Sequence, residues 1–164
     1  TAASAGAVTR EGGQATEATT TSTTSVDMLA AASLTIAAQE IFTALCILRK
    51  TSGAGANVKQ GAKLNSTVIW DAGNWFNTTD EEQHGLTSAT HPARIANYLR
   101  TCPAVIRRTS RISGGVIYSD IANISVNNDL PTAEITDYVA RGEVDNSSNT
   151  LGMDELQVHS YTAS

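Results

Sequence analysis

Residues 41–50, IFTALCILRK, run on through the polar TSGAGAN (51–57) and are followed by KLNSTVIW (63–70). The first segment is a long apolar stretch ending at a Gly/Ser-rich turn. In the second, Leu64, Ser66, Val68 and Trp70 alternate with Asn65, Thr67 and Ile69. A period of two marks a half-buried strand, so both segments read as strands. Upstream, VDMLAA (26–31) and SLTIAA (33–38) alternate in the same way, although Ala and Leu make helix a competitor across 26–45; Leu34 and Ile36 favour strand for 33–37. Downstream, AVIRRTSRIS, GVIYSDIANISV, AEITDYVARGEV and LGMDELQVHSYTA read as four further strands. Gly114–Gly115, NNDLP and DNSSNT between them supply turn chemistry. Seven or eight strands rich in Ile, Val and Thr predict an antiparallel β-sandwich or jelly-roll-like fold over 26–164. Ile41–Leu48, Leu64–Trp70 and Ile135–Val139 are expected as its central strands.

Residues 1–25 are different. TAASAGAVTREGGQATEATTTSTTS has one large aliphatic residue, Val8, and cannot bury enough apolar surface to offset its own ordering. It reads as a flexible or extended N-terminal arm, either a dispensable tail or a segment that becomes ordered on a neighbouring subunit.

Composition narrows the function classes. The chain has 164 residues, the size of one domain, with 41% hydrophobic and 16% charged residues and only Lys50, Lys59 and Lys63 as lysines. Its net charge of −5 argues against nucleic acid as a partner, since phosphate affinity needs a basic face. No apolar run is long enough to span a membrane, and no basic segment followed by an apolar one marks a signal peptide. Charge is unevenly spread. Residues 94–111 hold Arg94, Arg100, Arg107, Arg108 and Arg111 without an acid, whereas 112–164 hold eight acids against Arg141 alone. These groups pair either within the fold or across a subunit contact of complementary charge.

No catalytic, cofactor or metal constellation emerges. GAGANVKQGAK (53–63) has five residues between Gly55 and Gly61 where a phosphate loop has four, and reads as a hairpin loop. His84, His91 and His159 lack ligand spacing. Asp145, Ser147 and Asn149 begin like a calcium loop but meet Thr150 and Leu156 where glycine and glutamate are required. Glu81–Glu82 and Asp154–Glu155 are adjacent pairs, which a strand sends to opposite faces, so neither forms a glycosidase couple. Cys46 and Cys102 read as buried thiols or a single disulfide. The long polar stretch 71–92 carries Trp75 and Phe76, the aromatics best placed for an exposed contact with a neighbouring subunit or a sugar.

RKTSGAGANV (49–58), KLNSTVIW, PTAEITDYVARGEVD (131–145) and LGMDELQVHSY (151–161) together resemble small all-β surface proteins of tailed-phage virions, the decoration or cement proteins and related appendage domains. The resemblance implies a sandwich, often trimeric, sitting on the virion surface, and it brings no catalytic residues. Expected partners are then further copies of the chain, with a trimer favoured, and the major capsid or another virion protein. The alternative is a carbohydrate-binding or receptor-binding module of a fibre, which requires aromatics and polar groups converging on one face.

Overall fold

The computed structural model describes residues 7–36, 41–53, 58–71, 82–90, 105–113, 116–124 and 134–162. Among them there is no helix. Eleven strands run β1 Ala7–Gln14, β2 Ala18–Thr20, β3 Val26–Ala31, β4 Ile41–Ser52, β5 Val58–Leu64, β6 Thr67–Asp71, β7 Glu82–Thr90, β8 Val105–Ser113, β9 Val116–Ile124, β10 Tyr138–Val144 and β11 Thr150–Thr162. They form two antiparallel sheets. The larger has the order β1-β11-β4-β7-β8-β9, with β2 also pairing β11, and the smaller has β3-β10-β5-β6.

Alternation builds the core between the sheets. Phe42, Ala44, Cys46 and Leu48 of β4 are buried, as are Val58, Ala62 and Leu64 of β5 and Tyr138, Ala140 and Val144 of β10. In β11 the parity changes. Leu151 and Met153 point inward, Asp154 is an extra residue where the register on β4 shifts, and Leu156 and Val158 then point inward. Without that bulge one half of β11 would turn its apolar side to water. Gly142 of β10 allows the sheets to approach closely, since a Cβ there would collide with Leu151 and Met28.

The structure differs from the sequence expectation at several points. The segment expected as an arm contains β1 and β2, both paired with β11 of the same chain; residues 1–6 lie outside the described residues. Main-chain pairing asks little of side chains, and the polar ones present are used. Glu11 accepts from Ser160 Oγ (2.5 Å) and from Thr35 N and Oγ1 (3.2 and 3.1 Å), and Gln14 Oε1 accepts from Ala30 N (3.1 Å). These bonds tie β1 to its own sheet and to the segment beside the smaller one.

KLNSTVIW is not one strand. Asn65 and Ser66 occupy the left-handed region (φ 45° and 69°) and form the two-residue turn between β5 and β6. The expected loop 53–63 therefore ends by Val58, where β5 begins, and the polar excursion 71–92 contains β7, paired along β4. Of the expected strand 33–37, residues 33–36 form no strand, residue 37 lies outside the described residues, Ile36 makes a single bridge to Ile135, and β10 starts only at Tyr138. Leu34 and Ile36 are nonetheless buried.

Asn65 also fastens the hairpin tip to the approach to β10. Its Nδ2 donates to Glu134 O (2.8 Å), and its Oδ1 accepts from Thr136 N (2.8 Å) and Asp137 N (3.3 Å). Thr136 Oγ1 also donates to Oδ1 (3.2 Å), so replacing Asn65 removes four bonds and strains the left-handed turn. Asn65→Ala is expected to destabilise the fold by about 2 kcal/mol, measured by urea denaturation.

Gln60 is the opposite case. It is buried on the inner face of β5, opposite Gly142 in register, and neither amide atom has a hydrogen-bond partner among the described residues. A buried amide without partners costs roughly 1–3 kcal/mol. Gln60→Leu should therefore raise the denaturation midpoint, whereas Gln60→Glu should lower it.

Candidate functional site

Two surfaces carry polar groups in an ordered array, and they have different chemistry. The first is the outer face of the smaller sheet, where β3, β10 and β5 lie side by side. Lys63 Nζ lies 2.8 Å from both carboxylate oxygens of Asp27, and Arg141 Nε donates to Asp27 at 3.1 Å. One strand-length away, Lys59 Nζ reaches Glu143 (2.8 Å) and Asp145 (3.3 Å). The Lys63 ammonium bonded to Asp27 holds its carboxyl below the ordinary aspartate range; burial opposes this and Arg141 adds to it. Glu11 is also lowered: burial opposes ionisation, and the bonds from Ser160 and Thr35 together outweigh it. Lys59 is raised by its bonds to Glu143 and Asp145. These are cross-strand latches with their charges matched, and they leave no acid–base couple poised for chemistry.

The latches give the fold a pH signature. Carboxyls lowered in the folded state contribute stability that is present above their unfolded values and lost as pH falls through the folded ones, so their acid limb lies below about pH 4. Lys59, raised in the folded state, contributes stability that is complete below its unfolded value and lost as pH climbs through the folded one, beyond about pH 10.5. Asp27→Asn should be less stable than the parent at pH 7, and the difference should shrink as pH falls below about 4, as read from thermal melts across pH.

The second surface arises from register. β4 pairs β7 from Ile41↔Thr90 to Arg49↔Glu82 without a shift, and β8 pairs β9 from Val105↔Ile124 to Ser113↔Val116 without one. Between them, Gln83↔Arg111 and Leu86↔Arg108 keep a single register. The register can therefore be followed strand by strand from the core outward. In register with the buried Phe42, Ala44, Cys46 and Leu48 of β4 stand Ala89, Thr87, Gly85 and Gln83 of β7; Gln83 pairs Arg111 of β8, and Val105, Arg107, Thr109 and Arg111 pair Ile124, Ala122, Asp120 and Tyr118 of β9. At the alternate positions Leu86 pairs Arg108, and Ile106, Arg108, Ser110 and Ile112 pair Asn123, Ile121, Ser119 and Ile117.

Polar and apolar residues are mixed along these rows. The smaller sheet lies toward the other end of the larger one: its edge strand β3 lies against β1, β2 and β11, and β10 lies against β11. β7, β8 and β9 continue the larger sheet from β4 as a wing. Three strands at about 4.8 Å spacing are about 10 Å across, and the Arg107–Arg111 span along β8 is about 13 Å.

Of the site residues expected from sequence, Arg107, Arg108 and Arg111 lie on β8 opposite Ala122, Ile121 and Tyr118 of β9, with Arg107 and Arg111 in one phase of the strand and Arg108 in the other. Arg94, Arg100, Trp75 and Phe76 lie outside the described residues. Gln83, Tyr118 and Asp120 join the patch only through register, which no local motif announces. Cys46 is free and buried, and burial, with Asp154 adding, pushes its thiol far above the ordinary range, so it is chemically inert; Cys102 lies outside the described residues. Among the described residues no group of three or more His, Cys, Asp or Glu is arranged to hold a metal ion.

The fold is that of an all-β sandwich module. No family model and no curated protein matches the chain. Among solved structures it is similar to the protein of unknown function SO2946 from Shewanella oneidensis MR-1, at 9% identity over 86% of this chain and 67% of that one, with a TM-score of 0.42. It is similar to the CBM2 module of the evolved Dit of Lactobacillus casei BL23 phage J-1, at 10% identity over 90% and 76% of the two chains, with a TM-score of 0.42. A third likeness is the carbohydrate recognition domain of Emp47p, at 10% identity over 93% and 87%, with a TM-score of 0.38. At these values nothing about ligand or activity passes from those proteins to this one.

Proposed function

We propose that this chain is a non-enzymatic recognition module that holds a glycan on the β7–β9 wing, carried at a virion surface. The carrying observation is the register of that wing, which sets Gln83 opposite Arg111, Arg111 opposite Tyr118 and Thr109 opposite Asp120. Amide, guanidinium, phenol and carboxylate residues thereby stand at neighbouring positions on three adjacent strands. Those groups suit sugar hydroxyls, which both donate and accept, and an aromatic ring adds an apolar platform. Arginine's planar fork binds vicinal oxygens two at a time. The patch fits a short saccharide rather than a protein partner, whose standard footprint is several times larger.

The virion setting is supported by the sequence resemblance to phage appendage domains. The in-chain pairing of β1 and β2 with β11 favours recognition through a sheet face over attachment through a free arm.

A glycan array followed by calorimetry with the best saccharide tests the reading. Arg107→Ser/Arg111→Ser should weaken binding by at least about tenfold, the equivalent of one lost contact of about 1.4 kcal/mol. Arg108→Ser, in the other phase of β8, should bind as the parent does. Equal loss in both variants, or in neither, removes the reading.

A further inference from the structure

The sheet edges are not alike. β1 carries an extra residue, Glu11, where its register on β11 shifts, and β3 carries Met28 against β10. β6 carries Ile69 against β5 and is only 5 residues long. β2, beside β1, has 3 residues. Bulges and brevity are the means by which proteins keep an edge from pairing with another chain.

β9 has neither. Its 9 residues, VIYSDIANI, pair with β8 in unbroken register, and they include no proline, no lysine or arginine, and one acid. Among the described residues no strand pairs its other side. A straight edge of this length and aliphatic content is the kind that soluble proteins cover or pair.

We propose that β9 pairs with β9 of a second copy, antiparallel about a two-fold axis, and joins the two larger sheets into one. The strand is its own match. A register centred on Ile121 sets Ile121 opposite its equivalent, Asp120 opposite Ala122, Ser119 opposite Asn123 and Tyr118 opposite Ile124. A register centred on Asp120 would set two carboxylates face to face, which is destabilising, whereas the Ile121 register separates them and keeps 118–124 of both strands paired. Every strand pairing among the described residues is antiparallel, so the new pair repeats existing geometry. An isologous contact of this kind closes at two subunits; a three-fold axis cannot pair one edge with itself. The two wings become neighbours with corresponding faces on the same side. The pairing does not depend on the glycan reading and is tested without any ligand.

Light scattering over a concentration series should give twice the 17.2 kDa chain mass for the wild-type protein. Ser119→Lys/Asn123→Lys sets lysines opposite one another in the proposed register and should give a monomer with an unchanged circular dichroism spectrum. Ile121→Cys in a Cys102→Ser background should cross-link under mild oxidation, because Cα atoms directly opposite in an antiparallel pair lie about 4.5–5.5 Å apart, within disulfide reach. A wild-type monomer or trimer overturns the proposal, and that measurement needs no variant to fold. A dimer that the introduced thiols fail to cross-link overturns it as well.

Discussion

Most of this structure hangs on the main chain of β11. Over Thr150–Thr162 it pairs β4 along one side and β1 and β2 along the other, and its inward residues Leu151, Met153, Leu156 and Val158 meet the smaller sheet. The bulge at Asp154 permits this double duty. It shifts the side-chain phase by one residue halfway along, so a strand too long to stay in phase presents apolar groups to the core at both ends. Arg49 Nε lies 3.5 Å from the Asp154 carboxylate across the strand pair, which places a counter-charge beside the irregularity.

The same strand explains why a segment with almost no aliphatic content is part of the body. β1 contributes hydrogen-bonding backbone rather than buried area, and Gly12 lets it settle beside Leu34, whose Cδ2 would lie 2.9 Å from a Cβ at that position. Val8 remains 65% exposed, so it adds little to the core. β1 is held by its ladder, by the Glu11 bonds to Ser160 and Thr35 and by that of Gln14 to Ala30. The hydrophobic effect holds the rest.

What the sequence made legible follows from this division. Strands such as Ile41–Leu48, Val105–Ser113 and Val116–Ile124 declare themselves by their Ile, Val and Leu content, and the all-β class follows from them. Leu34 and Ile36 favoured a strand over 33–37; both are buried, but only Ile36 forms a bridge, because burial and strand pairing are separate events. β1, β2 and β7 were hidden, since edge pairing and a polar composition leave no apolar period. The turn at Asn65–Ser66 was hidden for another reason: Leu64, Ser66, Val68 and Trp70 alternate straight through it, and only the left-handed backbone breaks the run. The candidate site was half legible. The arginine cluster stood out, but the sorting of Arg107 and Arg111 from Arg108, and their grouping with Gln83, Tyr118 and Asp120, exist only once three strands are laid in register.

The position of β4 gives the module a mechanical character. It is at once a wall of the packed core and the root of the wing, joined to β11 on one side and β7 on the other along most of its length. A load applied to the wing along the strand direction is shared by all the β4–β7 bonds in shear, which must fail together. A load applied across the strands peels the same bonds one after another from an end. The wing should therefore be stiff to tugging in one direction and yielding in the other, so that an object held on it is gripped most firmly when pulled along the strands.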